Sequence, residues 1–295
     1  MFPKVSIIIL NWNGKNDTLE CLDSLRHLTY PNHEIIIVDN GSTDDSVEFF
    51  KNASWERVKI IENKENLGFA EGNNIGIRRA LESSSDYILL LNNDTIVDPT
   101  FLEKLIEVGE SDNDIGILSP IIYYYQEREK IQYSGEKINL YTGKISGIHP
   151  NNKKVIHSDT ICGASMLIKK ETIKKIGCLP TEYFMLWEDI DYSLKAKRNN
   201  IKNVYVANSK IWHKGSVSIG NISSPFRIKY SIRNRIIFWK KYASKNQLIC
   251  FYINLAFIQM PVSFLVGYIK TDKKKKFCSC FLEGLIEGVQ YSFLK

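Results

Sequence analysis

Cysteine is scarce and without pattern in this chain of 295 residues. Its six cysteines, Cys21, Cys162, Cys178, Cys250, Cys278 and Cys280, form no CxxC pair and have no histidine at zinc-finger spacing. Neither a disulfide frame nor a structural zinc is expected, and free thiols fit a reducing compartment. No leader is expected from the opening residues either. The opening MFPKVSIIILNWNG has only a short apolar run, which ends in Asn11-Trp12-Asn13-Gly14 and reads as a buried first strand. No GxGxxG follows that run, which excludes a dinucleotide oxidoreductase, and no Gly-rich basic loop does, which argues against a nucleotidyltransferase. Internal repeats and low-complexity tracts are absent too.

Acidic residues nearly vanish from the last 70 positions. Residues 1–225 hold 26 Lys and Arg against 30 Asp and Glu, whereas 226–295 hold 13 against 3, so net charge switches from −4 to +10. The basic excess brackets an apolar stretch, Leu248 to Ile269, instead of alternating with exposed aromatics on a nucleic-acid module. No nucleic acid is expected as a partner; an anionic membrane surface is. The stretch is long enough to cross a bilayer core of roughly 30 Å. Asn254, Gln259 and Pro261 interrupt it, so a membrane-spanning helix and an interfacial one both remain open. A core element or a homodimer interface is the further alternative.

The first half alternates apolar runs with helical patterns, the signature of an α/β fold with a mostly parallel sheet. Strands are expected at Val5–Leu10, Glu34–Val38, Val58–Ile61 and Tyr87–Leu91, with helices at Thr18–Leu28, Asp44–Lys51 and Phe69–Leu81. Residues 131–149 read as a hairpin or loop. A strand over Thr160–Ile168, a helix over Glu171–Ile176, a helix from Glu188 toward Asn199, and strands at Val204–Val206 and Ile211–His213 follow. Beyond Pro225 the chain turns helical: a basic aromatic helix to Lys245, the apolar stretch, the block Lys273–Lys276 and a last apolar helix. Two domains are expected, 1–220 and 221–295.

Open α/β sheets bind ligands beyond the carboxyl ends of their strands. Asn11, Trp12, Asn13 and Gly14 follow the first strand, Asp39, Asn40, Gly41 and Ser42 the second, and Asn92, Asn93 and Asp94 the fourth. Each group alone is also what a turn or helix cap uses. Together they predict one polar crevice.

The ordered runs VSIIILNWNG, IIIVDNGSTD, NKENLGFAEGNN, LLLNNDT, CGASMLIKKETIKKIG, WEDIDYSLKAKRNN and IWHKGS resemble the family 2 glycosyltransferases of GT-A fold, most of all their rhamnosyltransferase-like branch. The resemblance covers residues 4 to about 216 and implies a nucleoside-diphosphate-sugar donor with a divalent metal, Mg2+ or Mn2+. It implies that Asp94 ligates the metal, with Asn92 standing where the family's DXD motif has its first acid, and that His213 contacts the metal or diphosphate. Asp39, with Asn11, Asn13 and Asn40, takes the place of the nucleoside site; Gly68 and Asn73 or Asn74, with Asn92 and Asn93, line the diphosphate and ribose. Asp189 corresponds to the base that deprotonates the acceptor hydroxyl in an inverting transfer, with Glu188 as runner-up. Asp191 fits a helix-dipole role better. Lys214, Arg233 and Arg235 are cations for the diphosphate or for headgroups. The implied enzyme moves a hexosyl group, rhamnosyl from a dTDP donor being the first guess, to a cell-surface glycan or lipid-linked acceptor at the cytoplasmic face of the membrane. The rival is an inactive membrane-attached scaffold, which Asn92 would favour.

Overall fold

The computed structural model describes residues 2–52, 57–150, 153–215 and 224–294. In chain order the elements are β1 (Val5–Asn11), α1 (Lys15–Leu25), β2 (His33–Asp39), α2 (Ser46–Asn52), β3 (Val58–Glu62), α3 (Gly68–Glu82), β4 (Tyr87–Asn92), β5 (Thr95–Val97), α4 (Phe101–Ser111), β6 (Ile115–Tyr124), β7 (Ile131–Tyr133), β8 (Glu136–Asn139) and β9 (Lys144–Gly147). Then come β10 (Val155–His157), β11 (Ser165–Lys169), α5 (Lys170–Ile176), α6 (Glu188–Arg198), β12 (Lys202–His213) and the helices α7 (Pro225–Tyr242), α8 (Lys245–Asn254), α9 (Met260–Lys270) and α10 (Lys274–Leu294).

Strands β1, β2 and β4 are unbroken apolar runs because helices cover both faces of the sheet. Alternate residues point opposite ways. Ile7, Ile9, Ile37 and Leu89 pack with Cys21, Leu25, Phe101 and Leu105, while Ile8, Ile36, Val38 and Leu90 pack with Ala70, Ile77, Ile173 and Tyr192. Truncating one of these isoleucines to alanine costs roughly 2–5 kcal/mol.

The sheet is mixed, ordered β10-β12-β6-β11-β4-β1-β2-β3, with β5 on β12 and β7 on β6. β1 is parallel to β2 and β4, while β11 runs antiparallel to both β4 and β6. The parallel register sets Asn11 opposite Asp39 and Leu10 opposite Asn92, so three strands end at one level. This level is where the polar triplets converge.

Two strand expectations need correction. The run Thr160–Ile168 is strand only from Ser165, because three preceding amides bond to side chains: Ile161 N–H to Ser193 Oγ, Cys162 N–H to Tyr205 Oη and Gly163 N–H to Asp189 Oδ2, each at 2.9 Å. The two strands expected at 204–206 and 211–213 are one, β12, interrupted by a register shift between Val206 and Lys210. Beyond the shift β12 pairs with β5, placing His213 opposite Thr95, the neighbour of Asp94.

Among the described residues the chain forms two compact units, the first holding 2–136, 147–184 and 188–215, the second 137–146, 185–187 and 224–294. In the second, α10 packs closely on α7: Gly288 faces the backbone carbonyl of Arg233, and Lys229 pairs with Glu283 (3.1 Å) and Glu287 (2.7 Å). Trp239 is buried, stacks on Phe251 at 4.7 Å and donates its indole N–H to the Leu140 carbonyl. Leu186 and Trp187 adopt positive φ (66° and 81°), an unusual strain for bulky residues, and the buried Asn234 amide holds it by donating to the Met185 and Leu186 carbonyls. Residues Lys245–Lys270 run as one helix through a π turn at Leu255–Gln259. Pro261 explains that turn, since it has no N–H to give the preceding carbonyls.

Candidate active site

The strand ends carry the site, and the asparagines there divide their work unequally. Asn11 donates from Nδ2 to Asp39 Oδ2 (2.7 Å) and accepts at Oδ1 from Thr18 Oγ1 (2.8 Å). Asp39 Oδ2 also accepts from Ser42 Oγ (2.7 Å) and Oδ1 from Ser42 N–H (2.9 Å), and the residue has no exposed surface. Its carboxylate therefore holds the strand-end loop through Asn11 and Ser42. Asn40 is similar, accepting from Asn63 Nδ2 and Leu67 N–H and donating to Asn66 Oδ1 and the Gly68 carbonyl. Asn13 is exposed, sits at φ 51°, and accepts at Oδ1 from the Thr43 and Asp44 amides.

Gly68 has φ 81° and opens α3. A Cβ there would strike the carbonyl oxygen of Phe184, to which the Phe69 N–H donates at 2.8 Å. The glycine thus lets the 63–69 segment lie against residue 184, four positions before Glu188. Asn73 is buried and donates to the Phe69 carbonyl (2.9 Å). Asn74 exchanges two bonds with the Leu179 backbone, a purely structural tie.

The NND triplet is gathered by β4 and β5. Asn93 donates to Thr18 Oγ1 (3.0 Å), and the Asn92 amide nitrogen stands 3.5 Å from His213 Nε2. Asp94 Oδ1 lies 3.2 Å from His213 Nε2, both residues more than nine-tenths buried. On its other side the imidazole meets Gln132 Oε1 at 2.9 Å. An amide oxygen only accepts, so Nδ1 donates to Gln132, and Nε2 is the ring nitrogen turned toward Asp94. A carboxylate and an imidazole nitrogen facing each other are a donor set that suits a divalent cation, with an orienting amide behind the histidine. Among the described residues no third His, Cys, Asp or Glu joins them, so a bound cation would draw its other ligands from water and a diphosphate.

On the opposite bank Asp189 is held by two N–H groups, Gly163 (2.9 Å) and Ile190 (2.8 Å), at the amino end of α6. It keeps some exposed surface, whereas Glu188 is buried with Oε2 lacking a partner. Burial raises the Asp189 carboxyl above the usual range, opposed by these backbone bonds. Burial and then the neighbouring Asp189 push Glu188 well up. Asp191 is spent on the Tyr183 hydroxyl (2.9 Å), a structural role. The two banks touch through adjacent residues: Gly163 donates to Asp189, and the next carbonyl, Ala164, accepts from Asn92 N–H at 3.0 Å.

The profile of glycosyl transferase family 2 matches residues 6–177, more than half of the chain. The chain belongs to glycosyl transferase family 2. It is 25% identical over 300 residues to a low-salt glycan biosynthesis hexosyltransferase, Agl10, of Haloferax volcanii, covering 98% of this chain and 92% of that protein. Among solved structures it resembles GalNAc-T7 with UDP, GalNAc and Mn2+ (TM-score 0.68, 17% identity), covering 99% of this chain and 57% of the other. It also resembles the mannosyltransferase PcManGT of Pyrobaculum calidifontis in complex with GDP-Man and Mn2+ (TM-score 0.63, 14% identity), covering 99% and 88%. The fold is GT-A.

Within this family 2 site the structure adds two residues that sequence reading missed. Gln132 orients His213, and Glu136 accepts from Thr160 Oγ1 (2.5 Å) beside Asp189, its carboxyl raised by burial first and by Asp189 after. Gln132 lies in β7, whose pairing with β6 no local pattern announces, and Glu136 opens β8, which pairs with β9. The expected cations are engaged elsewhere. Lys214 pairs with Asp17 (2.7 Å) and Glu20, Arg233 donates to Asn234 Oδ1, and Arg235 donates to the Gly143 carbonyl while lying over Trp239 and Phe251.

Proposed function

We propose that this family 2 member is an inverting hexosyltransferase that takes its sugar from a nucleoside diphosphate donor. One observation carries the reading: Gly163 and Ala164, adjacent in the chain, tie the Asp189 carboxylate to the strand end bearing Asn92, Asn93 and Asp94. The acid–base group and the Asp94–His213 pair are thereby fixed by one backbone step. Asp189 has two of its roughly four lone-pair sites filled by N–H groups, leaving the others for an acceptor hydroxyl. It takes the hydroxyl proton as that oxygen forms a bond to the anomeric carbon. The bond from that carbon to the diphosphate oxygen breaks, and its electrons leave on the diphosphate. A single displacement of this kind inverts the anomeric centre.

Asp94 and His213 would hold Mg2+ or Mn2+, with Gln132 fixing the imidazole. The cation would offset the negative charge that gathers on the leaving diphosphate. Burial and the neighbouring Asp189 raise the Glu188 carboxyl, which favours a neutral Glu188 beside Asp189. Asn11, Asp39 and Asn40 act as positioning residues that fix the loops around the nucleoside, and Gly68, Asn73, Asn92 and Asn93 shape the diphosphate side.

The acceptor is a hydroxyl of a cell-surface glycan, lipid-linked, reached at the cytoplasmic face of a membrane that the C-terminal region, 221–295, binds. Rhamnosyl from dTDP is the first donor to try. The test is transfer over a panel of nucleotide sugars with Mg2+ or Mn2+, reading the anomeric configuration of the product by NMR. One donor turning over with inversion is expected; retention would overturn the single displacement. Asn92, in place of an acid, favours the second reading of an inactive scaffold, which predicts donor binding without turnover on any member of the panel.

A further inference from the structure

The helix Lys245–Lys270 has 26 residues and is about 39 Å long, enough to cross a bilayer. It is nonetheless tied to the rest of the second unit near its start, its middle and its end. Near its start Phe251 stacks on Trp239 and touches Gly143. At its middle Gln259 donates to the Thr142 carbonyl (2.6 Å), which belongs to the β8–β9 turn. Near its end Gly267 presses on Phe277, and Phe264 lies edge-on to Phe281 at 5.1 Å. Most of the rest of the helix is uncovered, and its broad apolar face holds Ile249, Ile253, Phe257, Ile258, Leu265 and Ile269, with Phe257 78% exposed. No Asp or Glu lies within the helix.

We propose that this helix lies in the plane of an anionic bilayer, its exposed face sunk into one leaflet, and does not cross it. The inference rests on the membrane attachment proposed above and decides its geometry. A crossing helix would carry the Thr142 turn, with the exposed Lys144 beside it, and the Arg235 guanidinium that donates to Gly143, into or near the hydrocarbon. Unsatisfied or charged groups are tolerated poorly there. An interfacial helix needs one exposed apolar face, and the other side of this one is tied to the second unit at Phe251, Gln259 and Gly267.

Charge points the same way. Lys240, Lys241 and Lys245 are exposed at one end of the helix and Lys270 and Lys273–Lys276 at the other. A crossing would send one basic cluster to the far side of the membrane, against the rule that such clusters stay cytoplasmic. Lying flat keeps both at the headgroups of one leaflet, where anionic lipid complements them.

Sealed inside-out membrane vesicles from cells making the full chain test this, with a membrane-impermeant amine reagent and mass spectrometry of each lysine. The lysines at 245, 270 and 273–276 should all react to the same extent before and after detergent lysis. Reaction of 270 and 273–276 only after lysis would overturn the in-plane geometry while leaving membrane attachment intact. A chain absent from the vesicle fraction, or one whose apolar face is covered by a second copy with no affinity for phosphatidylglycerol vesicles, would sink attachment itself. In a vesicle co-sedimentation assay Phe257→Asp should lower affinity for phosphatidylglycerol vesicles at least tenfold, and an unchanged affinity counts against the apolar face.

Discussion

The carboxylate of Asp94 and the Nε2 of His213 stand 3.2 Å apart in a nearly solvent-free recess, with Gln132 holding the opposite edge of the imidazole. Two lone-pair donors brought this close repel unless a proton or cation lies between them. Mn2+ together with a nucleoside diphosphate should raise the melting temperature of the wild type, and Asp94→Ala or His213→Ala should abolish that rise. Chelation with EDTA should remove transfer, and added Mn2+ should restore it. Gln132→Ala, which leaves both ligands, should weaken Mn2+ about tenfold to a hundredfold.

Glu188 gives a pH dependence of defined sign. Its folded carboxyl is raised well above its unfolded value by burial and by Asp189. Stability tied to its proton is present below the unfolded value and is lost as pH rises through the folded one. Glu188→Gln keeps the neutral form at every pH. Urea midpoints of variant and wild type should coincide near pH 4, and the variant should become the more stable of the two on going to pH 8.

The opposite sign belongs to Glu34. Burial alone would raise it, but hydrogen bonds from Lys59, Ser83, Ser6 and Lys4 outweigh that and hold it at about 2. Its stabilisation is present above the unfolded value and fades as pH falls toward about 2. Glu34→Gln should cost about 1–3 kcal/mol at pH 7 and almost nothing at pH 2, read from chemical denaturation.

Gly68→Ala tests the seam between the 63–69 segment and Phe184. The new methyl would meet both an unfavourable positive φ and the Phe184 carbonyl. A loss of roughly 2–4 kcal/mol is expected by urea unfolding. Gly163→Ala, whose methyl would sit at ordinary contact distance from Asp189, should cost less.

Much of the sheet was legible because β1, β2 and β4 are unbroken apolar runs, and their polar ends fall level through parallel pairing. The sequence pattern could not reveal that the amides of 161–163 bond to side chains instead of a strand, nor that Ala207-Asn208-Ser209 is a bulge within one strand. Ala-Asn-Ser reads locally as a turn. Asp39 was legible as important, but its inward direction depends on Asn11 and Ser42, which only the fold brings to it. Gln132 and Glu136 were invisible for the same reason: their partners lie 81 and 24 residues away.

The central claim is that Asp189 is the base of a glycosyl transfer, and Asp189→Asn tests it most directly. The substitution keeps the size of the side chain and an oxygen to accept from Gly163. Calorimetry should find the nucleoside diphosphate binding within about twofold of wild type, while transfer falls by about a thousandfold or more. Transfer within tenfold of wild type, with binding intact, would contradict the account.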